Sequence, residues 1–408
     1  MGRGFLSISI IAVLLLGGCA GRGSGDSAFS VSDSDAASRA GDPAEASDIT
    51  AFCREKADSA LSGMTLEQRV GQCFMPSIYA SADLPTLRQL RHYISDLHVG
   101  GVVLLKGDLR SAARMAGMGA EAEMPLFMAI DAEWGLGMRL EDAPDFPRNG
   151  RLGPGADERL LFDYGGEVAR ECRRVGINMV LGPVVDVVEN PRGVIGSRSF
   201  GSDPKRVADL GVAYARGVES GRVISVAKHF PGHGSPDADS HKSLPVVRRD
   251  AVELDSIDLY PFRNYVDAGL SGVMVGHLAV PAVDSLSLPA AVSPAVIGDL
   301  LRRRLGFGGI VLTDALNMEG ARGYDASAAL SAGADIVVGP ENTALEIENV
   351  IGKIRRGEMR AEVIDDRCRR ILFYKYLMGI DAGREVSLDG IPEDVREGAD
   401  SIWRRLVR

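Results

Sequence analysis

Apolar residues in this chain of 408 residues occur in eight short runs, and longer amphipathic segments separate them. The runs are rich in Val, Ile, Leu and Met without polar alternation, which is the pattern of parallel strands buried on both faces. They cover residues 70–75, 99–105, 126–131, 177–183, 223–230, 272–277, 309–314 and 334–339. The pattern therefore predicts eight buried parallel strands.

The segments between the runs carry helix start and stop signals. Pro204–Ser220 is one such segment, and another begins at Pro294 and is expected to run to Leu305, before Gly306. Eight strands with intervening helices over about 330 residues predict a single α/β domain of the (β/α)8 TIM-barrel type. An open doubly wound sheet is the alternative, but no GxGxxG motif follows an early strand and no P-loop motif occurs.

The N-terminus has the pattern of a bacterial lipoprotein signal. Arg3 is a positive n-region, residues 6–16 form an apolar h-region, and Leu16-Gly17-Gly18-Cys19 has a small-residue cleavage site that ends in cysteine. We therefore expect a signal peptide over residues 1–18, a lipid anchor at Cys19 and a location in the cell envelope. An ordinary cleaved signal with a coincidental cysteine is the alternative.

The composition then changes twice along the chain. Residues 19–48 are rich in Ser, Gly, Ala and Asp and hold almost no large apolar side chains, so they are predicted to be a flexible tether. Residues 49–408 are predicted to form the barrel and to be a catalytic domain, and we expect a monomer.

The charge and the cysteines exclude some classes of function. A net charge of −10, a pI near 5.3 and the lack of a Lys/Arg block argue against nucleic-acid binding and favour a small neutral or polar ligand. Cys53, Cys73, Cys172 and Cys368 have no CxxC spacing, so no zinc or redox motif is present. Buried free thiols are expected, although a Cys53–Cys73 disulfide stays open for an exported protein.

One Gly/Pro-rich segment concentrates groups that exchange protons. Residues 228–245 follow an apolar run and contain three histidines, two aspartates and two lysines. Asp239 lies two residues before His241, so its carboxylate can hold one imidazole nitrogen while the other exchanges protons near neutral pH. A zinc site at His229 and His233 is rejected because Pro231, which lies between them, breaks the helix that would align the rings. We expect no metal and no cofactor.

Charged or imidazole side chains also follow six of the predicted strands. They are Lys106, Asp131, Asp186, the Lys228-His229 pair, His277 and Asp314. Core packing explains one or two buried polar groups, but six are the pattern of a site at the carboxyl ends of barrel strands. Asp314 there suits a glycosyl-accepting nucleophile, and the alternative is that it caps the following helix.

Several motifs together identify a family. They are MTLEQRVGQ at residues 64–72, GIN at 176–178 with PVVDV at 183–187, IGSRSFG at 195–201, the segment 228–245, and TDALNM at 313–318. Over roughly residues 64–379 the chain resembles glycoside hydrolase family 3, specifically its bacterial β-N-acetylglucosaminidase branch. The resemblance implies Asp314 as nucleophile and His241, assisted by Asp239, as general acid/base of a retaining double displacement without a cofactor.

The resemblance also implies how the sugar is held. It assigns Asp131, Arg198, Lys228 and His229 to the nonreducing GlcNAc unit, and we add Arg139 and His277 to the predicted substrate-binding residues. Many family members read Asp-x-Glu-Gly-Gly-Arg-Val-Gln-Arg after the third strand, whereas this chain reads DAEWGLGMR at residues 131–139. Trp134, which departs from that pattern, is expected either to form an apolar platform for a sugar or to pack in the core.

The expected activity is an exo-β-N-acetylglucosaminidase that removes terminal β-linked GlcNAc. Because the chain is expected to be exported, its substrate would be a GlcNAc-containing oligosaccharide or muropeptide outside the cytoplasm. A GlcNAc-transferring phosphorylase, a broader β-glycosidase and a sugar-binding lipoprotein without turnover are the alternatives.

Overall fold

The computed structural model describes residues 43–119, 122–235, 244–380 and 386–407. The predicted signal peptide, Cys19, Asp239 and His241 lie outside the described residues. Cys53, Cys73, Cys172 and Cys368 are buried thiols, so the Cys53–Cys73 disulfide is not formed. Among the described residues, no helix has the length and apolar character that a membrane-spanning segment needs.

Short strands and longer helices alternate along the domain. The strands are β1 Phe74–Met75, β2 Ser77–Ala80, β3 Gly101–Gly107, β4 Phe127–Ile130, β5 Met179–Val180, β6 Ile224–Phe230, β7 Gly272–Val275, β8 Ile310–Thr313 and β9 Val337–Val338. The α-helices are α1 Pro43–Gly63, α2 Leu66–Gln72, α3 Leu84–Ser95, α4 Leu109–Met118, α5 Asn149–Leu152, α6 Glu158–Arg174, α7 Pro204–Ser220, α8 Ala251–Glu253, α9 Leu259–Asp267, α10 Ala326–Ala332, α11 Thr343–Arg355, α12 Ala361–Leu377 and α13 Ile391–Leu406. Two π-helical segments cover Leu254–Asp258 and Ala295–Arg304, and short 3-10 helices cover Leu136–Met138, Gly196–Arg198, Ala290–Val292 and Glu319–Ala321.

The strands form a curled parallel sheet of the α/β class. Seven of them pair in chain order from β2 to β8, and β1 pairs with β9 in a separate two-stranded sheet. Ile336, directly before β9, also forms a parallel bridge with Leu312 of β8. Strands β4, β6, β7 and β8 are buried at every position, as the unbroken apolar runs predict.

Several elements differ from the sequence prediction, and β2 Ser77–Ala80 lies outside every predicted run. The strand predicted over residues 70–75 is wrong in its first part, because α2 runs to Gln72 and starts with a capping box between Thr65 and Gln68. The helix predicted from Pro294 is π-helical over Ala295–Arg304. The predicted tether extends too far, because α1 begins at Pro43, where proline in the first turn precedes good helix formers.

A buried amine lies at the amino ends of the strands. Lys375 of α12 is fully buried, donates a hydrogen bond of 2.7 Å to Gln72 Oε1, and places its Nζ 5.0 Å from the centroid of the Phe127 ring. Burial lowers the pKa of Lys375 to about 7, since the partly opposing effects of Cys368 and Cys73 are smaller. The amine of Lys375 therefore gains and loses its proton near neutral pH in the folded protein.

Lys375 should make the free energy of unfolding depend on pH. Between about pH 7 and the ordinary pKa of 10.5, the unfolded chain holds a proton on this amine that the folded chain releases. The contribution of Lys375 to the free energy of unfolding should therefore rise with pH, by roughly 2 to 4 kcal/mol between those two pH values. Urea unfolding of Lys375→Met should show a flatter pH dependence than the wild type, with greater stability on the acidic side. The exposed substitution Lys205→Met is the matched control, and an unchanged slope in Lys375→Met would contradict this assignment.

Candidate active site

Five neighbouring strands bring polar side chains to one edge of the sheet. Asp131 directly follows β4, Asp186 follows β5, and His229 lies near the end of β6. His277 follows β7 and Asp314 directly follows β8. All five positions are at the carboxyl ends of parallel strands, so residues far apart in the sequence lie around one site.

A cluster of buried and half-buried ions forms one side of the site. Lys228 Nζ lies 2.7 Å from Asp131 Oδ1 and 2.8 Å from Glu133 Oε1. Arg198 binds Glu133 through two hydrogen bonds, 2.9 Å from Nε and 2.7 Å from Nη2. Arg139 Nη2 donates to the other oxygen of Asp131 at 2.5 Å. Each carboxylate is thus held by two cations, which fixes its orientation.

The charges of this cluster keep both acids ionised. Burial opposes ionisation of Asp131, but Lys228 and Arg139 outweigh it and hold the pKa of Asp131 far below its usual range. Lys228 and Arg198 likewise overcome burial and lower the pKa of Glu133 to about 2. In return the two carboxylates raise the pKa of the buried Lys228. Asp131 is partly exposed, with 18% of its side chain accessible. Its carboxylate can therefore accept hydrogen bonds from sugar hydroxyls.

Asp186 orients the histidine of β6. Its Oδ2 lies 2.8 Å from His229 Nδ1, and its Oδ1 accepts the backbone N–H groups of His229 at 3.1 Å and His233 at 2.7 Å. Because a carboxylate only accepts, His229 Nδ1 carries the hydrogen, and Nε2 lies 3.4 Å from Arg198 Nη2. The fully buried Asp186 therefore sets both the ring orientation of His229 and the start of the chain that follows β6.

Asp314 is a half-buried carboxylate with a fixed geometry. Its Oδ1 accepts the N–H of Ala315 at 2.8 Å. His277 is fully buried and donates from Nε2 to the carbonyl of Ala315 at 3.0 Å, which holds the backbone next to Asp314. Burial raises the pKa of Asp314, but attraction from His229, His277 and Lys228 outweighs it, so the pKa lies below its usual value. Asp314 is therefore ionised at neutral pH.

The helix-capping alternative for Asp314 is wrong. The next helical segment, Glu319–Ala321, is flanked by Met318 and has no side-chain cap. The carboxylate of Asp314 instead binds the N–H of the very next residue and stays at the strand end. An ionised, oriented and accessible carboxylate at this position can attack an electrophilic carbon.

A comparison with protein-family models decides the classification. Residues 65–373 match the model of the glycosyl hydrolase family 3 N terminal domain. The chain belongs to glycosyl hydrolase family 3. This match spans all of the strands described above and the residues at their carboxyl ends, and it confirms the family that the sequence motifs indicate.

Relatives of the family 3 domain are named for related activities. A β-hexosaminidase of Nitrosospira multiformis is 34% identical over 298 residues, which cover 67% of this chain and 84% of the relative. The structure of a family 3 β-N-acetylglucosaminidase from a Paenibacillus species matches with a TM-score of 0.74 at 32% identity, over 83% of this chain and 69% of that chain. A β-glucoside phosphorylase matches with a TM-score of 0.79 over 86% of this chain and 66% of that chain, but at 22% identity this likeness shows the fold alone.

The family 3 domain brings most of the predicted site residues together. Six predicted binding residues lie at the carboxyl edge of the sheet or contact residues there: Asp131, Arg139, Arg198, Lys228, His229 and His277. His277 holds backbone there and is fully buried, whereas Lys106 is exposed near the end of β3. Glu133 and Asp186 were outside the predicted binding set, although each orients members of it.

Trp134 of the family 3 domain neither packs wholly in the core nor presents a free ring. It is half-buried, and the guanidinium of Arg148 lies 4.6 Å from its ring centroid. Arg148 also donates to Ser197 Oγ at 3.2 Å, next to Arg198 of the ion cluster. Trp134 and Arg148 therefore form a cation–π pair beside the residues that hold Glu133.

Proposed function

We propose that this protein is a retaining exo-β-N-acetylglucosaminidase that removes terminal β-linked GlcNAc. The observation that carries the proposal is the ionised, half-buried Asp314, oriented by the Ala315 N–H beside the Asp131–Lys228 ion pair. The names of the relatives at more than 30% identity support the sugar and the reaction.

The proposed reaction has two displacements. Asp314 attacks the anomeric carbon while a general acid protonates the leaving oxygen, so one C–O bond breaks and a glycosyl ester forms. Water then attacks the same carbon, gives its proton to the same group acting as a base, and releases Asp314. Two inversions leave the product in the β configuration. We assign the acid/base role to His241 with Asp239, on the basis of the sequence of their loop.

Sugar binding is assigned to the ion cluster. Asp131, with Lys228 and Arg139 on its two oxygens, is proposed to accept hydrogen bonds from ring hydroxyls, while Lys228 donates to them. Arg198 and His229 line the adjacent wall. His277 supports the site through the Ala315 backbone. Charge-assisted hydrogen bonds of this kind orient the reacting carbon toward the nucleophile.

We also infer that the domain is a complete (β/α)8 barrel. Strands β1 and β2 are separated by one residue, and β1 pairs with β9 while β2 pairs with β3. The Leu312–Ile336 bridge joins the other end of the curled sheet to the segment that continues as β9. Counting β1 and β2 as one strand, these pairings support eight strands in a closed ring.

The proposed location is the cell envelope. The signal-like N-terminus with Cys19 supports attachment through a lipid, and peptidoglycan fragments or chitooligosaccharides would then be the accessible substrates. We propose that the protein works there without a cofactor and as a monomer.

The activity should be visible with a simple chromogenic substrate. The purified protein is expected to hydrolyse an aryl β-N-acetylglucosaminide, and proton NMR of the first product should show the β anomer. An initial α anomer would contradict the double displacement. Aryl β-glucoside tests for a broader β-glycosidase, and added phosphate tests for a phosphorylase through formation of GlcNAc-1-phosphate. Absence of turnover on every substrate would favour a binding protein.

A further inference from the structure

The cation–π pair of Trp134 and Arg148 adjoins the ion cluster at two places along the chain. Trp134 directly follows Glu133, a member of that cluster. Arg148, whose guanidinium lies 4.6 Å from the Trp134 ring centroid, donates to Ser197 Oγ at 3.2 Å. Ser197 in turn directly precedes Arg198, the arginine that binds Glu133. The pair therefore lies beside the groups that are proposed to hold the sugar.

The loop that carries Trp134 is closely packed. Gly135 has a φ of +87°, and a Cβ added there would lie 2.5 Å from the Phe146 ring. The N–H of Gly137 donates to the carbonyl of Pro144 at 3.2 Å. These contacts tie the chain after Trp134 to the segment that leads to its cation–π partner. Packed backbone therefore brings the two side chains together, in addition to their own attraction.

The segment that carries Arg148 is fixed on its other side as well. The buried Asn149 donates from Nδ2 to the carbonyl of Arg198 at 2.8 Å. A Cβ added at Gly150 would lie 3.1 Å from Ser197 Cα, so the two backbones are in close contact. The guanidinium is therefore held in place before any ligand arrives, which reduces the entropy lost on binding.

The charge of Arg148 has no partner within the fold. Among the residues that the structure describes, no carboxylate lies within ion-pair distance of its guanidinium, and its one side-chain hydrogen bond goes to the neutral Ser197. Asp131 and Glu133, the two acids of the ion cluster, each bind two other cations. Arg148 is exposed, and a guanidinium has five N–H donors. Most of these donors are therefore left to bind an anion from outside.

We propose that Arg148, stacked on Trp134, selects a leaving sugar that carries a carboxylate beside the glycosidic oxygen, as N-acetylmuramic acid does. The inference rests on the proposed function, because the terminal GlcNAc then occupies Asp131 and Lys228 and the leaving sugar lies outside them. A planar guanidinium on an aromatic face is weakly hydrated and binds a carboxylate through two parallel hydrogen bonds. A chitooligosaccharide gains nothing from this contact, because its leaving sugar is neutral.

Two disaccharides that differ in one group test this selection. One is GlcNAc β-linked to N-acetylmuramic acid, and the other is the same compound with its carboxylate converted to the neutral primary amide. The kcat/KM of the wild type should be about ten- to hundredfold higher for the acid than for the amide. Arg148→Met should remove that advantage and change kcat/KM for the amide by less than about threefold. Equal values for the two disaccharides in the wild type, or an equal loss on both in the variant, would overturn the proposal.

Two further variants separate the guanidinium from charge and from cation–π pairing in general. Arg148→Lys keeps the charge but loses the paired donors, so it should retain less than about a third of the preference for the acid. Lys56→Met removes the cation of an exposed pair on α1, where Lys56 Nζ lies 5.1 Å from the Phe52 ring centroid. This control should leave both kcat/KM values unchanged, and loss of the preference in it would contradict a local role for Arg148.

The wild type gives a second test that needs no folded variant. Because Arg148 is exposed, raising the salt concentration from about 0.05 M to about 0.5 M should weaken the preference for the acid, and an unchanged preference would count against the proposal. An aryl β-GlcNAc without a carboxylate separates the two levels of the argument. Lack of its hydrolysis by the wild type defeats the proposed function, whereas hydrolysis of it without a preference between the disaccharides defeats only the role of Arg148.

Discussion

Asp314→Ala is expected to lower kcat on aryl β-GlcNAc by at least about a thousandfold, equivalent to about 4 kcal/mol of activation free energy. The substitution removes the only group that we assign to attack on the anomeric carbon. KM should change little, because Asp131 and Lys228 remain on the sugar-binding side. Steady-state kinetics on purified variants measure both values.

A small external anion distinguishes a nucleophile from a supporting residue. In Asp314→Ala the lost carboxylate leaves space, and azide can attack the same carbon once, which should give the α-glycosyl azide and partly restore release of an acidic aryl group. Asp325→Ala is the matched control, since Asp325 caps α10 by accepting the N–H of Ala328. It should cost about 1 kcal/mol of stability and no activity. Full activity of Asp314→Ala would rule out this nucleophile.

Lys228→Met should have the second largest effect, on both folding and binding. The substitution leaves the carboxylates of Asp131 and Glu133, which share Lys228, with only one arginine each. Breaking a buried ion cluster in this way costs about 3 to 5 kcal/mol of unfolding free energy. Loss of oriented hydrogen bonds to the sugar should lower kcat/KM by about a hundredfold. Urea unfolding and steady-state kinetics measure the two losses.

The pH dependence of Lys228→Met provides an internal check. Without Lys228 the folded-state pKa values of Asp131 and Glu133 should rise from their low wild-type values, so at acidic pH the folded variant binds protons that the folded wild type has released. The stability deficit should therefore be largest at neutral pH and shrink as pH falls through the ordinary carboxyl range. A deficit as small as that of the exposed Lys205→Met would contradict the coupling.

The apolar runs predicted the order of the strands because burial on both faces leaves a clear pattern. The predicted start of the first strand is wrong because α2 and β1 follow each other without a polar break. Only the capping box at Thr65 and Gln68 marks that helix in the sequence. Strand ends likewise predicted Asp131, His229 and Asp314, since carboxyl ends of parallel strands share one edge.

Ion pairs between residues far apart in the sequence could not be predicted from the apolar runs or the strand ends. Glu133 binds Arg198 and Lys228, and these contacts depend on where separate loops lie after folding. Arg249 reaches Glu189 and Asp258 for the same reason. Trp134 shows a third case, because its contact with Arg148 depends on a loop whose sequence departs from the family pattern. The acid/base assignment of Asp239 and His241 stays a prediction from sequence.

The way Lys228 joins Asp131 to Glu133 has a consequence for how this part of the domain can diverge. Each carboxylate also binds its own arginine, so replacing one member of the cluster changes the partners of at least one other. Divergence at this edge of the sheet is therefore expected to need linked substitutions rather than single ones.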